Sequence, residues 1–158
     1  MVKKKIVAIV QARLTSKRFP NKVMQKIGNF TVTELILKRL CKSKLIDKIV
    51  FTIPANKKND RLCKHLNEIK ANIFRGSENN VLDRYYKTAK QFKASIIVRI
   101  TGDCPLADPK LIDKMISLYL KKKPDYLHTF PQSFPDGFDT EIFSFKALKL
   151  TKEKAVSK

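Results

Sequence analysis

Apolar and polar positions alternate along the chain in a strict rotation of two patterns. Short, nearly continuous apolar runs occur at residues 5 to 10 (KIVAIV), 48 to 53 (KIVFTI), 72 to 75 (NIFR) and 95 to 100 (SIIVRI). Between them lie longer segments with helical spacing. Runs of four to eight apolar residues read as buried strands, and a strand followed each time by an amphipathic helix predicts a parallel sheet with crossover helices. In TVTELILKRL, Thr31 followed by Glu34 has capping-box spacing, and Leu35, Ile36 and Leu40 share one face. Asn59 or Asp60 is placed to cap a helix carrying Leu62, Leu66 and Ile69, and a further helix follows Gly76 with Leu82, Tyr85, Tyr86 and Ala89. Asp108 precedes Pro109, an N-cap followed by proline at the first helical position, and Leu111, Ile112, Met115, Ile116 and Tyr119 supply the buried side.

The alternation breaks after residue 123. YLHTF reads as a strand, PQSFPDGF as a loop and DTEIFSF as another strand, with weak helical character in LTKEKAVSK. The expectation is one α/β domain over 1–158: three layers, Rossmann-like, with a mostly parallel sheet.

Composition changes this picture at one point. With 158 residues, 43% of them apolar, the chain is long enough for a single real core. No stretch is apolar enough to cross a bilayer, so no membrane partner is expected and the reading is cytoplasmic. Three scattered cysteines, Cys41, Cys63 and Cys104, suggest reduced thiols rather than a disulfide framework. The formal net charge of +20 raises a nucleic-acid-binding module as an alternative. The lysines are spread over every predicted helix, however, and no nucleic-acid recognition signature accompanies them.

Two loops at the carboxyl ends of strands carry candidate chemistry, on the edge where open α/β sheets bind ligands. QARLTSKRFPNK follows the first strand and gathers Arg13, Lys17, Arg18 and Lys22; TGDCP follows the fourth. Arg and Lys beside backbone N–H groups suit a triphosphate, and an Asp on a Gly-bearing turn suits a magnesium ion bridging phosphate oxygens. Taken singly, each feature also has a plain structural reading. Loop cations are often merely solvated, Gly-Asp before Pro is ordinary turn chemistry, and Cys104 without a His partner reads as small packing. Tyr85 and Tyr86 read as core and rim, Asp83 and Arg84 as a cap and a surface pair, and His65 and His128 as unrelated.

Four blocks together, VAIVQARLTSKRFPNKVMQKIG, RGSENNVLDRYY, RITGDCPLADP and FPDGFDTEIFSFKAL, resemble the cytidylyltransferases that act on acylneuraminate and 3-deoxy-manno-octulosonate, and most of all the spore coat polysaccharide biosynthesis protein F branch. The resemblance runs from about residue 5 to 148. It implies a fold of the nucleotide-diphospho-sugar transferase type. It also implies transfer of CMP from CTP to an acidic sugar or sugar phosphate with release of pyrophosphate, in surface polysaccharide biosynthesis. By resemblance, Arg13, Arg18 and Lys22 are the catalytic cations that hold the phosphates, assisted by Ser16 and the backbone near Ala12. Asp103 ligates Mg2+ and also contacts nucleotide, Gly76 and Ser77 approach the base, and Asp136, Asp139 and Glu141 face the acceptor. A metal-dependent glycosyltransferase using a nucleotide sugar is the rival enzyme. Family members generally run further, in a part that commonly supplies a second acidic metal ligand and dimer contacts. The expectation is therefore slow turnover by this chain alone, and a homodimer if that part is restored.

Overall fold

A computed structural model describes residues 4–16, 18–129, 135 and 137–155. Among the described residues eight strands and five α-helices follow one another: β1 (Ile6–Gln11), β2 (Lys26–Ile27), β3 (Phe30–Thr31), α1 (Val32–Leu40), β4 (Lys48–Pro54), α2 (Asp60–Glu68), β5 (Asn72–Gly76), α3 (Val81–Gln91), β6 (Ile96–Thr101), α4 (Pro109–Lys122), β7 (Tyr126–His128), β8 (Glu141–Ser144) and α5 (Phe145–Lys154). Six strands form one sheet in the order β5-β4-β1-β6-β8-β7. The first four are mutually parallel, whereas β8 runs antiparallel to β6 and to β7. The three-layer, mostly parallel α/β architecture is thus the one the rotation of patterns predicts.

Both faces of the sheet are covered, which explains why its central strands are apolar throughout. Ile6, Ala8 and Val10 of β1 and Ile96, Val98 and Ile100 of β6 pack on one side against α1, α2 and α4. Val7, Ile9 and Ile97 point the other way, against α3 and α5 through Tyr85, Ala89 and Leu148. The two-residue alternation therefore carries Gln11, Arg99 and Thr101 onto the α3/α5 side, where both strands end.

Several helix starts follow their sequence signals. Thr31 and Glu34 form the full capping box, and Asp108 accepts from the Leu111 amide at 2.9 Å with Pro109 in the first turn. Others differ. Asn59 makes no side-chain cap for α2, because its carboxamide is used elsewhere. Residues 26–31 form a small antiparallel hairpin around Gly28, beyond the bare turn that the sequence suggests. The helix at the end starts earlier than expected, with Ser144 capping it through the Ala147 amide at 3.0 Å. Asp83 and Arg84 are both buried, contrary to the surface-pair reading. Asp83 anchors α5 by accepting from Lys152 at 2.5 Å, and it also pairs with Lys87 at 2.8 Å.

Candidate functional site

The ends of β1 and β6 are stitched together by backbone. The Gly102 amide donates to the Gln11 carbonyl at 2.8 Å, while on the other side of β1 the Ala12 amide donates to the Thr52 carbonyl of β4 at 3.2 Å. A Cβ on Gly102 would lie 2.5 Å from the Gln11 carbonyl oxygen and 2.9 Å from the Ala12 Cβ, so only glycine allows this approach. The consequence is chemical. The loop of cations after β1 and the lone carboxylate after β6 become opposite walls of one cleft of about 490 Å³.

Arg13, Ser16, Arg18, Lys22 and Asp103 all line that cleft, together with Gln11, Thr15, Arg99 and Thr101. Ala12 contributes differently: it is buried and holds the loop by its backbone. Lys17 lies outside the described residues. Lys22 Nζ pairs with Asp103 Oδ2 across the cleft, with both side chains partly exposed. Burial would raise the Asp103 carboxyl, but the hydrogen bond and charge of Lys22, with help from Thr101, outweigh it and hold the carboxyl below its ordinary range. An accessible carboxylate whose charged form is favoured is a hard oxygen donor that suits a cation of the magnesium class. Among the described residues no group of three or more His, Cys, Asp or Glu side chains converges.

The cation loop runs into a single 3-10 turn at Lys22–Met24, is drawn together by the Asn21 amide donating to the Leu14 carbonyl at 3.1 Å, and is held further by distant residues. The Leu14 amide donates to the fully buried Asn59 Oδ1 at 2.9 Å. Asn59 Nδ2 donates to Asn56 Oδ1 at 2.7 Å, and Asn56 Nδ2 to Glu78 Oε2 at 2.5 Å. Glu78 Oε1 in turn accepts from the Thr15 hydroxyl at 3.1 Å. A closed polar circuit thus ties the loop after β1 to the loop after β5. Arg84 secures the second loop by donating from Nη1 to the Ser77 carbonyl. Burial pushes the Arg84 guanidinium down from its usual range, and its Nε has no hydrogen-bond partner among the described residues. Asn56, Asn59, Glu78 and Arg84 were not read from the sequence as site residues. The only signal available was the run of amides and acids in two loops, which by itself reads as turn chemistry.

Gly76 and Ser77 do not line the cleft. A Cβ at Gly76 would come within 2.7 Å of Phe74 Cε1 and 3.0 Å of Arg84 Cγ, so this glycine makes room for the buried arginine. Ser77 Oγ accepts from the Asn80 amide at 3.0 Å. Glu141 is engaged by Arg99 on the neighbouring strand. Asp139 is exposed and lines neither the cleft nor the cavity beside it. Asp136 lies outside the described residues. Cys104 is buried, which raises its thiol above the ordinary value, and it sits 2.8 Å from the Thr101 hydroxyl. A neutral buried thiol is packing, not a nucleophile. His65 Nε2 lies 2.9 Å from Thr31 Oγ1 and supports the start of α1.

Comparison with known proteins points the same way. The cytidylyltransferase family profile matches residues 7–157. An uncharacterised protein of Methanocaldococcus jannaschii is 41% identical over 154 residues, covering 98% of this chain and 63% of the relative. Spore coat polysaccharide biosynthesis protein SpsF of Bacillus subtilis is 33% identical over 147 residues, covering 90% of this chain and 60% of SpsF. The chain thus spans about three-fifths of the length of these relatives. A solved cytidylyltransferase structure from Leptospira borgpetersenii superposes with a TM-score of 0.92 at 32% identity, covering 98% of this chain and 66% of that one. In sequence, over nearly all of its residues, and in fold, the chain belongs to the cytidylyltransferase family.

Proposed function

We propose that the chain transfers CMP from CTP to an oxygen of an acidic sugar or sugar phosphate, in the making of a surface polysaccharide. The observation that carries this reading is the cleft itself: a cation loop and one ionised carboxylate face each other across strands joined backbone to backbone. That arrangement suits a triphosphate better than a single phosphate, because the cations spread along a loop instead of converging on a point. The name of SpsF supports the polysaccharide context, and the family supports CTP as donor.

The reaction is an in-line displacement. The acceptor oxygen forms a bond to the α-phosphorus, the bond from that phosphorus to the α,β-bridging oxygen breaks, and pyrophosphate leaves with the electron pair. A hydroxyl acceptor loses its proton to solvent. Arg13, Arg18 and Lys22 hold the β- and γ-phosphates and neutralise the charge that grows on the leaving group. Ser16 and the amides near Ala12 fix the loop against the phosphates. Asp103 would hold magnesium, which when bound supplies further neutralisation of the phosphate oxygens. Lys22, which pairs with Asp103, has phosphate as an alternative partner. In this reading Gly76 and Ser77, which lie outside the cleft lining on the loop joined to the cation loop through Glu78, would approach the base.

Release of pyrophosphate from CTP, measured with magnesium and a panel of acidic sugars and sugar phosphates, tests this reading. Release that depends on both CTP and one acceptor is expected. Release of a nucleoside diphosphate from a nucleotide sugar instead would overturn it in favour of glycosyl transfer.

A further inference from the structure

One carboxylate lies against the cation loop, where an anion site has no use for negative charge. Glu78, half-buried on the loop after β5, reaches the cation loop by two routes. Its Oε1 accepts from the Thr15 hydroxyl at 3.1 Å, and its Oε2 accepts from Asn56 Nδ2 at 2.5 Å. The second route ends on the neighbouring residue, because Asn56 Oδ1 accepts from Asn59 Nδ2 at 2.7 Å and Asn59 Oδ1 from the Leu14 amide at 2.9 Å. A single side chain therefore grips two consecutive residues, one through its hydroxyl and the other through its amide. Arg13 and Ser16, which line the cleft, flank that pair.

The grip has a direction. An ionised carboxylate only accepts, so Asn56 turns its Nδ2 toward Glu78 and its Oδ1 toward Asn59. Asn59 in turn keeps its oxygen for the Leu14 amide. The far ends are anchored as well: the fully buried Arg84 donates from Nη1 to the Ser77 carbonyl, and Arg75 donates to the Asn56 carbonyl at 2.9 Å. Glu78 does not line the cleft, and Thr15, which does, gives its hydroxyl proton to Glu78. The pair thus shapes the loop without itself donating to a phosphate.

We propose that Glu78 is the positioning residue of the phosphate site: an anion that raises the affinity of an anion site, by holding Leu14 and Thr15 so that Arg13 and Ser16 face the bound phosphates. The inference rests on the reading of the cleft as the triphosphate site. Two effects of the same carboxylate have opposite signs. Its charge repels phosphate, whereas its grip spares the loop the entropy of being ordered when the ligand binds. Arg13 and Glu78 both act on the Arg84 guanidinium through their charges, so the repulsive effect is offset by neighbouring cations and the grip prevails.

Calorimetry of inorganic tripolyphosphate, well below the melting temperature, separates the two effects. Glu78→Ala removes both charge and grip, and is expected to bind about tenfold more weakly than wild type. Glu78→Asp keeps the charge on a shorter side chain that cannot span Thr15 and Asn56 together, and it should weaken binding too. Glu78→Gln is as neutral as the alanine variant but keeps an oxygen for one partner, so it should bind more tightly than Glu78→Ala. Thr15→Val should weaken binding on its own and add little to Glu78→Ala, because the hydroxyl acts through Glu78. A residue that only stabilised the fold would lower the urea midpoint and leave these affinities unchanged. The inference is overturned, with the cleft still a phosphate site, if Glu78→Ala or Glu78→Asp binds as well as wild type or better, if Glu78→Gln is no better than Glu78→Ala, or if the Thr15 and Glu78 losses add in full. A wild-type chain that does not bind tripolyphosphate would overturn the reading of the cleft itself, and this inference with it.

Discussion

The Leu14 amide, in the middle of the cation loop, donates to the side chain of Asn59, a residue 45 positions away that is fully buried. The loop that faces the cleft is thus shaped by a residue that does not line it. Asn59→Ala removes the acceptor and strands a buried donor, at a cost of about 1–3 kcal/mol. Urea unfolding should show that loss, and calorimetry of tripolyphosphate well below the melting temperature should show weaker binding as well. Asn59→Asp keeps the acceptor but sets an oxygen against Asn56 Oδ1, so it should fall between wild type and Asn59→Ala.

Gly102 and Gly28 make opposite predictions for the same substitution. At Gly102 an added Cβ meets the Gln11 carbonyl oxygen at 2.5 Å, backbone that cannot swing aside. Gly102→Ala must part the ends of β1 and β6, costing about 1–3 kcal/mol and separating the cation loop from Asp103. Gly28 has open space around it but a φ of +59°, so Gly28→Ala costs about 1–2 kcal/mol of backbone strain and nothing at the cleft. Both variants should melt lower, and only Gly102→Ala should lose CTP affinity.

What the sequence showed and what it hid follow from the reach of each interaction. The strands and the caps at Thr31 and Asp108 were legible because their causes lie within a few residues. The cation loop and Asp103 were legible because charge at a strand end stands out from an apolar background. Asn59 and Glu78 were not, since a buried carboxamide serving an amide 45 positions away leaves no local pattern. Arg84 was misread for the same reason: only the fold shows that Gly76 opens space for it. The hairpin at residues 26–31 was missed because two-residue strands are too short to show a period.

Asp83 gives a pH prediction. The hydrogen bond from Lys152, then that from Lys87, outweighs its desolvation and holds its carboxyl below the ordinary value of 3.8. A carboxyl lowered on folding adds stability above its unfolded pKa, and that stability is lost as pH falls through the folded value. Asp83→Asn should therefore be less stable than wild type at neutral pH and lose less between about pH 5 and pH 2. Urea unfolding at several pH values measures both slopes; parallel slopes would show that the Asp83–Lys152 contact between α3 and α5 contributes nothing.

Arg18 and Lys5 separate a specific cation from the general basic charge. Arg18 lines the cleft, whereas Lys5 lies before β1 and away from it. A charge-assisted phosphate contact is worth about 1.5–3 kcal/mol, so Arg18→Ala should weaken CTP binding by roughly one to two decades and Lys5→Ala hardly at all. Equal small losses in calorimetry would assign the attraction to net charge. Arg18→Lys should restore only part of the affinity if the guanidinium forks over two oxygens.

The most direct test of the central claim compares wild type and Asp103→Asn by calorimetry, titrating CTP with and without magnesium. The substitution keeps the size of the side chain and its hydrogen bonding to the turn but removes the charge. Wild type should bind CTP more tightly with magnesium, and Asp103→Asn should fold normally, bind CTP and gain nothing from the metal. Magnesium dependence that survives unchanged in Asp103→Asn, or a wild-type chain that does not bind CTP at all, would contradict the account.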